Sequence, residues 1–213
     1  MMMIATGADL IDALVKDNHN TVIFYENIYP ALSIFKRILN ETEGELTILA
    51  ISNPVMKTLR EISAHTDVDL SKARIVTLNL SGNGDGDVAF SYNQIDELTE
   101  YIKGLRGTLI ILCRGLLKII VEDYQKMFFR IIESIGDDLK IIAFTAWKSY
   151  SNGEIATISG MFDVAIHIRK MDNVFSFGEE VYELNVIQSI VPYIQPGTVY
   201  FKVGANLEME EHG

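Results

Sequence analysis

The stretch Thr21-Val22-Ile23-Phe24-Tyr25-Glu26-Asn27-Ile28-Tyr29-Pro30, continued by Ala31-Leu32-Ser33-Ile34-Phe35, decides the fold. Its first part, TVIFYE (21–26), places apolar residues in both alternating sets of positions. A strand of that kind has no wet face, as in a parallel sheet covered on both sides. Its second part changes period. Leu32, Phe35, Ile38 and Leu39 recur at intervals that form one face of a helix. Strand, short loop and helix together open a βα unit.

The same alternation extends in both directions. Leu10, Ile11, Leu14 and Val15 form a helical stripe before the first strand. ELTILAIS (45–52), ARIVTLNL (73–80), TLIILC (108–113) and KIIAFTAW (140–147) read as further buried strands. Between them, Val55, Met56, Leu59 and Ile62 mark a helix with Pro54 in its first turn. Ile95, Leu98, Ile102 and Leu105 mark another, and a longer one is predicted over residues 116–135. Such alternation predicts right-handed βαβ units and a doubly wound sheet. The last third differs. VAIHIRK (164–170), VYELNVIQ (181–188) and TVYFKV (198–203) alternate apolar and polar residues between short loops bearing Asn173, Gly178, Pro196 and Gly197. That predicts antiparallel strands with one wetter face, on which His167 meets water. The expected fold is one α/β domain over residues 1–213, three layers deep. Its sheet is mostly parallel with antiparallel C-terminal strands, and the acidic tail at 206–213 is expected to fray.

Composition narrows the function classes. The chain has 213 residues, 48% hydrophobic and 22% charged, ordinary for a globular domain with its own core. Its formal net charge of −11 opposes sequence-independent contact with phosphate backbones, so no nucleic acid is expected as a partner. Cys113 is the single cysteine and lies in an apolar run, as a small buried hydrophobe would. The longest apolar stretch, around residues 108–121, is broken by Arg114, Gly115 and Lys118, so no membrane span is expected. MMMIATGADL at the start lacks the basic residues of a signal peptide, and a cytoplasmic location is expected.

Ligands of doubly wound sheets bind beyond the carboxyl ends of strands. After the first strand stands Glu26-Asn27-Ile28-Tyr29-Pro30. A phosphate loop needs glycines, a lysine and a Ser/Thr for magnesium, and this loop has none of them. Pro30 also removes an N–H from the helix start where an anion would sit. No G-x-x-x-x-G-K-[ST] occurs in the chain. In its order of elements, over about residues 8–203, the sequence resembles the RecA/KaiC ATPase core, and it is similar to a small archaeal family of degenerate KaiC-like proteins. The Ile-rich, Gln-poor, Cys-poor usage fits a hyperthermophile. The resemblance implies three places to find ATPase chemistry. The phosphate loop would fall at Glu26–Pro30. KaiC-like members carry acids after the second strand, where this chain has Ile51-Ser52-Asn53-Pro54. The magnesium-organising Asp of the Walker B strand would close TLIILC, where Cys113, Arg114 and Gly115 stand and cannot replace a carboxylate. ATP hydrolysis by the family mechanism is therefore not expected.

Other site-like stretches read as structure. Ser81-Gly82-Asn83-Gly84-Asp85-Gly86-Asp87 fails as an EF-hand, because counting from Asn83 the required Gly and Glu are Val88 and Gln94. It reads as a flexible loop leaving the third strand, with an anion cradle as the second reading. His19, His65, His167 and His212 have no Cys, His or carboxylate at ligand spacing, so no metal site and no cofactor are expected. Asp137-Asp138 reads as a turn and Glu179-Glu180 as a solvated loop.

What remains is a rim. Glu26, Asn27, Tyr29, Ser52, Asn53, Arg114, Thr145, Trp147 and Lys148 all fall at or just past strand carboxyl ends. Trp147, Tyr29 and Arg114 have the composition of a recognition surface. On the long helix, Leu117, Ile120, Tyr124, Phe128, Ile131 and Ile135 form the core face. Phe129 projects away between Glu122, Gln125 and Glu133, as a possible subunit contact. The leading expectation is a non-catalytic module that binds a protein or peptide or assembles with itself. The alternative is a nucleotide or small-ligand sensor or enzyme with a rebuilt loop, in which Arg114 or Lys148 meets phosphate and Tyr29 or Trp147 stacks on a base.

Overall fold

The chain is described by a computed structural model that covers residues 6–113, 115, 118, 121–171 and 180–212. Arg114, Leu117, Ile120, Asn173, Gly178 and Glu179 lie outside the described residues. The chain forms two compact units, Met1–Thr42 with Ala146–Gly213, and Glu43–Thr145.

Unit one begins with α1 (Gly7–Lys16), whose Thr6 and Asp9 make a reciprocal capping box. Leu10, Ile11 and Leu14 of its stripe are buried. β1 (Thr21–Tyr25) is buried at every position, as a strand without a polar face must be. α2 (Ile28–Glu41) follows it. The unit then continues with α6 (Asn152–Ser159), β7 (Val164–Lys170), β8 (Val181–Ser189), β9 (Gly197–Val203) and β10 (Met209–Glu211). Its strands lie in the order β10-β9-β8-β7-β1. β1 and β7 are parallel, with Phe24 opposite His167, and β7 to β10 are antiparallel.

Unit two contains β2 (Leu46–Ile51), α3 (Asn53–His65), β3 (Arg74–Asn79), β4 (Val88–Ser91), α4 (Ile95–Lys103), β5 (Gly107–Cys113), α5 (Tyr124–Glu133) and β6 (Leu139–Ala146). The order is β6-β5-β2-β3-β4, and all its pairs are parallel. Cys113 is buried within β5.

Four expectations need correction. The wetter face is confined largely to β9, where exposed Tyr200 alternates with fully buried Phe201, while Val164–Ile168 of β7 are all buried. His167 is among those buried residues rather than in water. The helix expected over 116–135 is not continuous. Lys118 is helical but Val121–Asp123 are not, and α5 starts at Tyr124 with the Asp123 side chain accepting from Lys126 N. A carboxylate that can cap a new helix favours a break there. Finally, the tail is tied down. Lys36 Nζ donates to Asn206 O at 2.6 Å, and Met209–Glu211 pair with Phe201–Val203.

The glycine-rich stretch is a loop held against β3. It brings β4 alongside β3 in parallel without a helix between them. Asp87 closes the return, its N–H donating to Ile75 O at 2.8 Å and its Oδ2 accepting from Ile75 N at 2.7 Å. A Cβ on Gly84 would stand 2.2 Å from Thr77 Oγ1, and one on Gly86 2.8 Å from Ile75 O. The glycines therefore let the backbone lie against β3.

Candidate functional site

The carboxyl end of β1 is built from few residues. Only Glu26 and Asn27 separate β1 from α2. Asn27 Oδ1 accepts from Tyr29 N at 2.9 Å, so the helix cap comes from the chain's own side chain. Pro30, third in the helix, has no N–H to offer. Nothing here exposes a run of backbone donors to a phosphate, and the loop's one ionised group is an anion.

Around Glu26 unit one gathers a cluster. Lys148 Nζ lies 3.2 Å from Glu26 Oε2, and His167 Nε2 lies 3.3 Å from Glu26 Oε1. The imidazole contact lacks hydrogen-bond alignment, and Nε2 is buried without another partner among the described residues. Trp147, in the single turn Trp147–Ser149, stacks on His167 with ring centroids 3.9 Å apart and planes 20° apart. It also meets the Phe24 ring at right angles, with centroids 5.6 Å apart. Burial pushes the His167 pKa below its ordinary value, against the opposing pull of the Glu26 carboxylate. Further along the same strand, Arg169 pairs with Glu183, a buried carboxylate on β8.

The structure thus brings Glu26, Trp147 and Lys148 of the expected rim together, with Asn27 and exposed Tyr29 on the adjoining turn. His167 joins them unforeseen. The alternation of β7 does put His167 and Arg169 on one face, but the indole that covers His167 comes from another segment, so no local pattern announces it.

Unit two holds the other rim residues. Thr145 is not a rim residue: it is 3% exposed, buried in β6 opposite Cys113. Ser52 is also buried, in a left-handed backbone with φ 95° at the start of α3. Its Oγ has no hydrogen-bond partner among the described residues. Asn53 accepts from Asn79 Nδ2 at 3.0 Å. Asn53, Met56, Lys57, Arg60, Asn83 and Asp85 line an open groove of about 610 Å³, across which Arg60 pairs with Asp85. On α5, Phe129 is 45% exposed, as its helical position predicted.

Among the described residues no group of three His, Cys, Asp or Glu side chains is placed to hold a metal ion, and no helix is long and apolar enough to cross a membrane.

No family model and no curated protein sequence matches the chain. Solved structures do. A KaiC-like protein from the hyperthermophilic archaeon Pyrococcus horikoshii superimposes with a TM-score of 0.67 at 12% identity, over 91% of this chain and 90% of that one. The flagellar accessory protein FlaH from Methanocaldococcus jannaschii gives 0.61 at 12% identity, over 98% and 97%. Another Pyrococcus horikoshii protein gives 0.58 at 12% identity, over 90% and 97%. At such identity the likeness is one of fold: the chain has the RecA/KaiC-like α/β fold, a mostly parallel sheet extended by antiparallel C-terminal strands.

Proposed function

We propose that this chain is a non-catalytic RecA/KaiC-like domain, degenerate in its phosphate loop, that binds a protein or peptide or assembles with copies of itself in the cytoplasm. One observation carries the reading: Glu26 and Asn27 alone join β1 to α2, and Asn27 caps the helix that a phosphate would need. The second strand supports it, ending in Ser52 and Asn53 with no acid to activate water. A net charge of −11 favours a protein partner over nucleic acid. The rim of Glu26, Tyr29, Trp147 and Lys148 is the contact surface assigned to that partner, and Phe129 is the residue assigned to self-association.

Thermal melts with ATP, ADP or GTP plus magnesium test this directly. A ligand selective for the folded state stabilises it by mass action, by about 2.7 kcal/mol at a hundredfold excess over Kd, and so raises the melting temperature. No shift is expected, and light scattering is expected to show a dimer or larger species when no external partner is present. A saturable nucleotide-dependent rise would replace this reading with that of a small-ligand sensor.

A further inference from the structure

The Glu26 carboxylate is shared between two bases of different kinds. Its Oε2 serves Lys148, whose side chain is 75% exposed, at 3.2 Å. Its Oε1 faces buried His167 Nε2 at 3.3 Å. Among the described residues, the other charged groups near the imidazole are accounted for. Arg169, two residues along β7, is held by Glu183 of β8, and the β8 residue opposite His167 is the neutral Asn185. From β1 the opposite residue is Phe24, and from the turn after β6 the neighbours are Trp147 and Lys148. Among the described residues the neutral imidazole therefore has a poorly satisfied Nε2 and one carboxylate within reach, whose other oxygen holds an exposed lysine.

We propose that His167 is a proton-operated latch on the Trp147–Ser149 turn. When neutral, it leaves Glu26 to Lys148. When protonated, it pairs with Oε1, and the added positive charge weakens the hold of the same carboxylate on the Lys148 ammonium at Oε2. The proton arrives from water and stays on the imidazole, so the cluster gains one positive charge. An exposed lysine loses little by leaving a surface pair, whereas a buried imidazolium cannot do without its counter-ion. The indole remains in place throughout, because a cation over its face is attracted to the ring. The rim thus presents a firmly paired lysine at neutral pH and a more loosely held one in acid. The latch belongs to this chain alone, so its test does not depend on whether the rim binds a partner.

Trp147 is the only tryptophan and serves as the reporter. Its fluorescence is followed between about pH 8 and about pH 4.5, a range that brackets the ordinary histidine value. A stacked imidazolium quenches indole, so the wild type is expected to dim in a single step below that value. His167→Gln is expected to abolish the step. Lys148→Met removes the competing cation and is expected to raise its midpoint by about half a pH unit. Glu26→Gln is expected to lower it. The last two positions are at the surface, so they keep the test decisive if His167→Gln fails to fold. A step that persists in His167→Gln, or a midpoint unmoved by Lys148→Met, overturns the latch.

Discussion

Asn79, at the end of β3, engages both ends of its carboxamide. Nδ2 donates to Asn53 Oδ1 at 3.0 Å and to Asn83 O at 2.8 Å, while Oδ1 accepts from Ser81 N at 3.0 Å and Gly82 N at 2.9 Å. The residue is 2% exposed, so no water would replace those partners. Asn79→Ala is expected to cost about 2–4 kcal/mol in urea denaturation, because several buried polar groups lose their partner together. Asn79→Asp sets a buried carboxylate oxygen against two acceptors, Asn53 Oδ1 and Asn83 O, and should cost at least as much. The same scale explains a pH dependence. Burial depresses the folded-state pKa of His167, so the unfolded chain takes up the proton first as pH falls. The stability this residue contributes is full above the ordinary histidine value and is lost as pH drops through the folded pKa. Urea midpoints measured across that window should fall toward acid in the wild type and fall less in His167→Gln. Neither residue stood out in the sequence. Asn79 ends a run of strand formers, and its role depends on a return loop that reads as flexible. The burial of His167 comes from an indole contributed by a different segment.

At the level of elements, what was legible is what is periodic. β1, β2, β5 and β6 carry apolar residues on both faces and lie within a residue or two of the stretches that predicted them. β4 was missed because four residues, Val88–Ser91, hold too short a pattern to separate from a loop. Their strand character comes from pairing with β3. The long helix failed for the opposite reason, since polar Glu122 and Asp123 fit a wheel as well as they fit a cap. The strand–turn–helix order around β1 and α2 was legible from the change of period, and the structure adds that Asn27 closes the turn. Asn27→Ala should destabilise the protein by about 1 kcal/mol in thermal or urea melts, the usual cost of a lost N-cap. Asn27→Ser should restore most of that loss. Gly84→Ala tests the glycine-rich return. A Cβ there would stand 2.2 Å from Thr77 Oγ1, so a loss larger than that of an ordinary surface substitution is expected.

For the whole molecule, the fold class followed from the order of buried and half-buried strands, and neither chemistry nor conserved motifs were needed to reach it. The candidate site followed only in part. Residue types placed Glu26, Trp147 and Lys148 at strand ends, but their convergence on one carboxylate is a property of the assembled unit. The short strand β10 has a consequence of its own. β9 contains Thr198-Val199-Tyr200-Phe201, a run with high strand propensity, and among the described residues the strand on its side away from β8 is β10. That covering strand is three residues long, and two of them are Glu210 and Glu211. Short, charged border strands discourage sheets from growing by recruiting another chain. Removing residues 205–213 should therefore uncover a template for intermolecular pairing, seen as rising turbidity and thioflavin fluorescence on gentle warming. Replacing both glutamates with valine should do the same with the tail still in place. Glu210 and Glu211 are, on that reasoning, a safeguard of solubility.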